Sequence, residues 1–260
     1  MEHSQSSFSE IVVPKVIFII PYRNRELQLG LFRRHMKYIL EDLDPSSYKI
    51  YFIHQQDKRV FNRGALKNIG FQIMKETYPE SYKNITFVFN DIDTMPYVKN
   101  FFNYETKKGN IKHFYGFEYA LGGIVSINGE DFEKINGYPN FWSWGYEDNA
   151  LQKRATKMKI NIDRSQFYKI LSGSIIHLQD GYIRLVNTHE QNRYHWSTSE
   201  GLTEISSIEH NINNDMINVT YFKTQYEVPV KNYKERDLRE KEVHTVRGRQ
   251  YKRQPMAMFI

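Results

Sequence analysis

The sequence predicts an α/β fold in which a mostly parallel central sheet is flanked by helices. Three apolar, β-branched runs are each followed by polar residues, and amphipathic stretches with helical spacing separate these runs. Repeated units of strand and helix favour parallel strands joined by right-handed crossovers. No stretch reaches the roughly 18 consecutive apolar residues that a membrane-spanning helix needs, so no span is predicted.

The first unit begins with a strand over 16–20, which ends at Pro21. A helix is predicted over 25–43, because its apolar residues recur at the spacing of one helical face. These residues are Leu29, Phe32, Met36 and Ile39. The Asp-Pro-Ser-Ser run at 44–47 ends the helix. A second strand is predicted over 48–54.

The second unit begins at Asn62, which is predicted to cap a helix that ends near Tyr78. The buried face of this helix is expected to contain Leu66, Ile69 and Ile73. A third strand is predicted over 85–89. Two further helices are predicted over 130–135 and 147–158. The buried stripe of the last helix is expected to consist of Leu151, Ala155 and Met158.

Composition limits the kinds of site that the chain can form. Cysteine is absent from the 260 residues, which excludes disulfides and thiolate metal sites and leaves carboxylate, imidazole or amide ligands for any metal. Residues 231–254 hold nine Lys or Arg and four Asp or Glu, so most of the net charge of +6 lies there. A general nucleic-acid-binding protein would be expected to carry a basic face through its whole fold.

Three segments are predicted: an N-terminal extension (1–15), one large domain (16–228) and a basic C-terminal tail (229–260). The extension lacks the charged start and apolar run of a signal peptide, and a cytoplasmic protein is expected. The tail is interpreted as a solvated appendage. A rival hypothesis makes it a site for RNA or an acidic membrane. That site would use Arg247, Arg249, Lys252 and Arg253.

Asp91 and Asp93 are two residues apart directly after the strand 85–89. In extended backbone their carboxylates point to the same side and can share a cation or a diphosphate-sugar. A single Asp-x-Asp also suits an ordinary turn. The position after a buried strand favours a ligand, since buried carboxylates are costly without compensation.

Five motifs lie in order along the chain, at residues 20–25, 61–63, 91–93, 122–123 and 142–148, and His177 follows them. In these motifs and their order the chain resembles the β-1,4-galactosyltransferase family, glycosyltransferase family 7, over roughly residues 16–205. The resemblance implies the GT-A fold with a Rossmann-like sheet. It also implies an inverting, metal-dependent transfer of galactose from UDP-galactose to a sugar hydroxyl, forming a β-1,4-type linkage, with no nucleic acid required.

The resemblance further implies a donor site. Its residues would be Pro21, Arg23, Arg25, Phe61, Arg63, Asp91, Ala120, Gly122 and Trp144. Guanidinium groups pair well with phosphate oxygens, and Phe61 resembles the residue that packs on uracil. Ala120 stands where galactose-transferring relatives have Tyr, and a small side chain leaves room for a substituent at C2 of the sugar. UDP-N-acetylgalactosamine is therefore the alternative donor.

The metal implied by the resemblance is Mn²⁺, bound by Asp93 and His177. The family's third ligand is a Met or a second His, at the positions that hold Ser174 and Gln179 here. In extended backbone Gln179 shares a side with His177, so its amide oxygen or a water is expected as the third ligand. Activity is expected to require added Mn²⁺ and to be poorly supported by Mg²⁺.

The acceptor site implied by the resemblance lies at 144–148. Asp148 matches the catalytic base, Glu147 would hydrogen-bond the acceptor sugar, and Trp144 would cover that sugar from a mobile loop. Tyr146 stands where relatives have Gly or Arg. Both carboxylates would also complement the dipole of the helix that they begin. Because the third metal ligand differs, a non-catalytic protein that binds sugar nucleotides or glycans is a further alternative.

Overall fold

The computed structural model describes residues 12–179, 181–195, 199–227, 233–240, 243–246 and 249–252. Most of the predicted N-terminal extension, and Arg247 and Arg253 of the tail, lie outside the described residues. No helix in these described ranges combines the length and the hydropathy needed to cross a bilayer. The cytoplasmic location and the three-segment division stay predictions.

The strands follow the chain from the first apolar run to the C-terminal segment. In chain order they are β1 (Val16–Tyr22), β2 (Tyr48–Gln55), β3 (Thr86–Asn90), β4 (Thr94–Pro96), β5 (Asn110–Gly116), β6 (Ile124–Asn128), β7 (Asn161–Asp163), β8 (Tyr168–Lys169), β9 (Ile175–His177), β10 (Ile183–Val186), β11 (Ser206–Asn213), β12 (Met216–Lys223), β13 (Lys234–Asp237), β14 (Val243–Val246) and β15 (Arg249–Lys252). Nine of them form the central sheet, in the order β11-β12-β2-β1-β3-β6-β5-β7, with β8 beside β5.

The central sheet is mixed and mostly parallel, which confirms the predicted fold class. Parallel pairs join β1 to β2 and β3, β2 to β12, and β5 to β7 and β8. Antiparallel pairs join β6 to β3 and β5, and β11 to β12. Because β1, β2 and β3 run in one direction, the loops that follow them meet at one edge of the sheet.

Helices cover both faces of the sheet. They are α1 (Glu26–Ile39), α2 (Arg63–Thr77), α3 (Gly129–Lys134), α4 (Glu147–Lys157) and α5 (Thr188–His195). Alternate residues of β1 enter two separate cores: Ile17 and Ile19 pack with the buried face of α2, and Phe18 and Ile20 with that of α1. The continuous apolar run of β1 is explained by this burial on both faces.

The local signals predicted α1, α2, α3 and α4 to within about four residues, whereas α5 was not predicted. The Asn62 side chain accepts a hydrogen bond from the Ala65 amide at 2.9 Å, which confirms the predicted cap of α2. A Cβ at Gly70 would lie 2.7 Å from Ile19, so the glycine lets α2 approach the sheet closely. The predicted stripe of α4 was wrong at Met158, which is 40% exposed, because the helix has ended at Lys157.

Two small antiparallel pairs lie outside the central sheet and matter for the site. Strand β4 pairs with β9, and Thr94 stands opposite His177. Strand β10 pairs with β13, and Arg184 stands opposite Arg236. Part of the segment predicted as a solvated tail is therefore hydrogen-bonded to an earlier strand.

Candidate active site

The candidate site lies where the parallel strands end. Strand β1 ends at Tyr22, β3 runs directly into Asp91, and the N-termini of α2 and α4 carry Arg63 and Glu147 to the same edge. In open α/β sheets, ligands bind in the crevice outside the carboxyl ends of the strands. The local sequence thus delivers charged side chains from four elements to one cleft.

Two adjoining cavities occupy this cleft, with volumes of about 330 and 270 Å³. The first, which we call the donor cavity, is lined by Pro21, Arg23, Arg25, Phe61, Arg63, Asp91, Asp93, Trp144 and Arg184, among others. The second, the acid-lined cavity, includes Arg63, Asp91, Asp93, Ala120, Gly122, Trp144, Tyr146, Glu147, Asp148 and His177. Every site residue predicted from the sequence except Gln179 lines one of these two cavities.

Arg63 joins the carboxylates of this cleft. Its guanidinium lies 2.6 Å from Glu147, 2.9 Å from Asp148 and 3.5 Å from Asp91. A planar guanidinium with five donors suits such a cluster better than an ammonium group does. One oxygen of Glu147 (Oε2) and one of Asp91 (Oδ1) have no hydrogen-bond partner among the described residues. The Asp91 oxygen lies 3.7 Å from the Lys67 ammonium, whereas a buried oxygen such as Oε2 of Glu147 points to a ligand that donates to it.

Lys67 lies beneath the same cluster and is 1% exposed. Its Nζ donates to Oδ1 of Asp148 at 3.3 Å and lies 3.7 Å from Oδ1 of Asp91. The ammonium also stands 4.5 Å from the centre of the Tyr138 ring. Lysine is almost never fully buried unless it is paired, and here two carboxylates supply the pairing.

The pKa values of Asp148 and Asp91 are shifted in opposite directions. Burial raises the pKa of Asp148 to about 6, against the opposing charges of Lys67 and Arg63. Burial also acts on Asp91, but there the nearby Arg63 and Lys67 charges outweigh it and the pKa of Asp91 is lowered. Divergent pKa values within one cleft are typical of catalytic carboxylates. Asp148 is thus ionised at neutral pH and is the more basic of the two.

Asp93 and His177 face each other across the acid-lined cavity. Oδ2 of Asp93 lies 4.0 Å from Nε2 of His177. Two metal-ligand bonds of about 2.1 Å span at most about 4.2 Å, so both atoms can bind one ion. The other ring nitrogen of His177, Nδ1, lies 3.2 Å from the Tyr115 hydroxyl. A hydrogen on Nδ1 that is donated to Tyr115 leaves the Nε2 lone pair for a metal.

The donor set therefore fits a hard or borderline cation held by one carboxylate and one imidazole. No cluster of three or more His, Cys, Asp or Glu side chains suited to a metal occurs in the described part of the chain. Oε1 of Gln179 accepts a hydrogen bond from Tyr182 at 2.9 Å. The role of Gln179 as third ligand stays a prediction.

The loop before α4 contains two tryptophans, of which Trp142 is held by contacts with other residues and Trp144 faces the two cavities. The Trp142 ring stacks on Phe222 at 5.3 Å, and its Nε1 donates to Thr224 at 3.0 Å. Trp144 is only partly buried and lines both cavities. Its amide donates to the Leu185 carbonyl at 2.9 Å, which links this loop to β10.

The donor cavity has a cationic and aromatic wall. The Arg23 guanidinium lies 5.5 Å from the centre of the Phe61 ring and donates to the Arg59 carbonyl at 2.7 Å. Burial lowers the pKa of Arg23, although arginine stays charged at neutral pH. A fixed guanidinium beside an aromatic ring suits a phosphate attached to a planar base.

Gly122 and Ala120, predicted as donor residues, line the acid-lined cavity and not the donor cavity, and Gly122 lies against Asp148. A Cβ at Gly122 would stand 2.3 Å from Oδ2 of Asp148. The Leu121 amide donates to the Asp148 carbonyl at 3.0 Å, so this loop and α4 are held together. The glycine provides the space that the Asp148 carboxylate occupies.

Sequence reasoning did not identify Lys67, Tyr115, Arg184 or Arg236, which belong to the cleft or its support. The one signal for Lys67 was its position four residues after Arg63, which places both on one side of α2. Arg184 and Arg236 line the acid-lined cavity from β10 and β13. No local pattern predicts that pairing, because it joins segments about 50 residues apart in the chain.

Two family models match the chain. The model described as the N-terminal region of glycosyl transferase group 7 matches residues 10–105. The model described as the N-terminal domain of galactosyltransferase matches residues 106–179. The two matches are consecutive and include the strand ends, both aspartates, the loop before α4 and His177.

Characterised relatives show the same likeness. The chain is 33% identical over 226 residues to β-1,4-galactosyltransferase 4 of Cricetulus griseus, covering 76% of this chain and 61% of that protein. It is 31% identical over 224 residues to the Homo sapiens β-1,4-galactosyltransferase 4, covering 76% and 60%. The chain thus spans about three fifths of the length of these relatives.

Solved structures agree on the fold. The catalytic domain of Drosophila β-1,4-galactosyltransferase 7 in complex with xylobiose superposes with a TM-score of 0.65 at 19% identity, covering 83% of this chain and 96% of that one. A mutant of that enzyme in complex with manganese, UDP-Gal and xylobiose gives a TM-score of 0.62 with the same identity and coverage. This likeness concerns the fold, which is that of a GT-A glycosyltransferase.

Proposed function

The chain belongs to glycosyl transferase group 7, and from that premise we propose that it transfers galactose from UDP-galactose to a hydroxyl of an acceptor sugar. The observation that carries the proposal is the single cleft that holds Asp93 and His177 on one side and Asp148 on the other. A diphosphate-binding group and a buried base within one cavity are what a direct sugar transfer requires.

The donor would lie in the donor cavity with its diphosphate toward Arg23, Arg25 and Arg63. Uracil would pack on Phe61, whose ring forms part of that wall. Arg63 lines both cavities, so it can contact the phosphates and the carboxylates in turn. Trp144 also lines both and is placed to cover the sugar once it is bound.

The acceptor would bind in the acid-lined cavity, where the partnerless oxygen of Glu147 can accept from a sugar hydroxyl. The attacking hydroxyl oxygen forms a bond to the anomeric carbon as the bond from that carbon to UDP breaks. Asp148 takes the hydroxyl proton, and UDP leaves with the electron pair. Attack from the face opposite the leaving group converts an α-linked donor into a β-linked product.

Asp93 and His177 would hold a divalent ion, and Mn²⁺ fits this mixed oxygen and nitrogen donor set. When bound, the ion would neutralise charge on the diphosphate. The Tyr115 hydroxyl orients the His177 ring. The neighbour solved with manganese and UDP-Gal is consistent with this assignment.

Transfer from UDP-galactose with Mn²⁺ tests the function directly, using terminal glucosamine, glucose and xylose acceptors. Asp148→Asn should lower kcat by about 10² to 10⁴-fold while leaving UDP affinity nearly unchanged and the protein folded by circular dichroism. Asp215→Asn, which changes a surface aspartate paired with Arg33, is the matched control. Wild-type protein that binds UDP but forms no product with any acceptor would favour the non-catalytic alternative.

A second donor is supported by one observation. The sugar of a bound donor would extend from the donor cavity into the acid-lined cavity, since Arg63 and Trp144 line both. Ala120 is 6% exposed and lines the acid-lined cavity, where a larger side chain would reduce the space beside that sugar. UDP-N-acetylgalactosamine is therefore the alternative substrate. Comparing kcat/KM for the two donors decides between them, and Ala120→Tyr should shift the ratio toward UDP-galactose. A β-1,4 linkage is proposed for either donor and requires analysis of the product.

A further inference from the structure

Lys67 differs from the other charged groups of the cleft in its depth. It is 1% exposed and is not among the residues that line either cavity, whereas the Arg63 side chain is 24% exposed and lines both. A ligand can therefore reach Arg63, but Lys67 lies beneath the reach of donor and acceptor. Its contacts with the site are to protein carboxylates and to the Tyr138 ring.

The two cations hold different oxygens of the same carboxylate. Lys67 donates to Oδ1 of Asp148 at 3.3 Å, and Arg63 donates to Oδ2 at 2.9 Å. On the Oδ2 side, the backbone of Gly122 lies so close that a Cβ at that position would stand 2.3 Å from Oδ2. Together these contacts fix the plane and depth of the Asp148 carboxylate. Losing either contact frees the group to rotate.

The proposed function requires Arg63 to contact the diphosphate of the donor as well as the carboxylates. A guanidinium that turns toward phosphate oxygens gives up part of its contact with Asp148 and Glu147. Three carboxylates, Asp91, Glu147 and Asp148, would then face one another with less compensation, which is costly in a buried site. Lys67 would keep its contact with Asp148 when Arg63 turns toward the phosphates.

We propose that Lys67 is a positioning residue that holds the Asp148 carboxylate from beneath the site while Arg63 engages the donor. The inference rests on the proposed function, because it assigns Asp148 the task of receiving the acceptor proton. Lys67 itself touches neither substrate. It acts through the orientation and ionisation of Asp148.

The charge of Lys67 supports the same role. Burial raises the pKa of Asp148, and Lys67 is the strongest of the neighbouring charges that oppose this rise. The charged and titratable groups that face Asp148 come from α2, α4, the end of β3 and the segment after α3. They are Arg63, Lys67, Glu147, Asp91 and Tyr138. Without Lys67 the carboxylate would be protonated over a wider pH range.

Lys67→Met tests the inference, with kcat and the KM for UDP-galactose measured from pH 5 to 9. We expect kcat at pH 7 to fall at least about tenfold and KM to stay within about twofold, because Lys67 reaches no ligand. The acidic limb of the pH profile should move upward by about one unit, so that part of the activity returns at high pH. Lys67→Gln keeps a donor for Oδ1 without the charge, and it should retain more turnover than Lys67→Met while sharing the shifted limb.

Lys75→Met is the matched control, since Lys75 lies two turns later on α2 and pairs with Glu133 at 2.5 Å. It should behave as wild type. A fall in kcat of Lys67→Met that is equal at every pH would show a structural role and overturn the inference. The inference would also be overturned if circular dichroism showed that neither Lys67 variant folds. Wild-type protein without any transfer would overturn the proposed function itself, whereas active wild type with an unshifted Lys67→Met profile overturns only the inference.

Discussion

Gly122→Ala tests the proposed role of Asp148 as the base, because the added Cβ would clash with one oxygen of the Asp148 carboxylate. The new Cβ would stand 2.3 Å from Oδ2 and 2.7 Å from Cγ of Asp148. The end of the Asp148 side chain yields more readily than the backbone, which the hydrogen bond from the Leu121 amide to the Asp148 carbonyl at 3.0 Å helps to hold in place. The carboxylate must therefore move.

The size of that movement follows from the contact distance. Ordinary contact begins near 3.4 Å, so Oδ2 must retreat by about 1.1 Å from its 2.3 Å position. Arg63 and Lys67 oppose the retreat because each holds one oxygen of the carboxylate. Misplacing a catalytic group by about 1 Å costs on the order of 100-fold in rate. That loss corresponds to about 2.7 kcal/mol in the barrier.

The assay is steady-state transfer from UDP-galactose at saturating Mn²⁺, with kcat and the donor KM measured separately. We expect kcat of Gly122→Ala to fall about 100-fold with little change in KM. Gly30→Ala in α1 is the control, since its Cβ would meet only Arg34 at 3.7 Å. That control should keep full turnover and gain about 0.5–1 kcal/mol in stability. Gly122→Ala with kcat within threefold of wild type would refute the reasoning, and a change confined to KM would support the donor role predicted for Gly122.

Two further predictions concern ionisation and the metal. The value of kcat/KM should rise with pH through about pH 6 and then level off. The reason is that burial raises the pKa of Asp148 to about 6 and only the ionised carboxylate can take a proton. A flat profile between pH 5 and 8 would contradict this. Excess chelator should abolish transfer, and added Mn²⁺ should restore it better than Mg²⁺. His177→Ala should raise the Mn²⁺ concentration for half-maximal activity at least about tenfold, as followed by Mn²⁺ titration, and an unchanged requirement would remove His177 from the site.

Local sequence patterns predicted most of the elements that support the site. The apolar run of β1 and the helical spacing of Leu29, Phe32 and Met36 depend only on neighbouring residues, and these side chains are buried as expected. Motif order predicted which charged residues would converge. Arg63, Asp91 and Asp148 are distant in the chain, yet each stands at the end of a strand or the start of a helix that reaches the same sheet edge.

Other features depended on contacts that no local pattern encodes. Lys67 resembles a surface lysine in the sequence, and its burial follows from Asp91 and Asp148 lying above α2. Met158 fits the stripe of α4 by spacing but lies beyond the last turn and is exposed. The place of Gly122 against the Asp148 carboxylate could not be read from a motif that suggested donor binding.

The sequence by itself predicted the α/β class, three strands of the central sheet, four helices, the family and most of the residues that meet in the cleft. These follow from short-range periodicity and from motifs whose order the chain preserves. Tertiary structure alone decided which oxygen of Asp148 each cation holds, how deep Lys67 lies, and that β13 pairs with β10 beside the cavity. The physical reason is that charge compensation and steric fit depend on distances of a few ångströms between residues far apart in the chain, and only the packed fold fixes those distances.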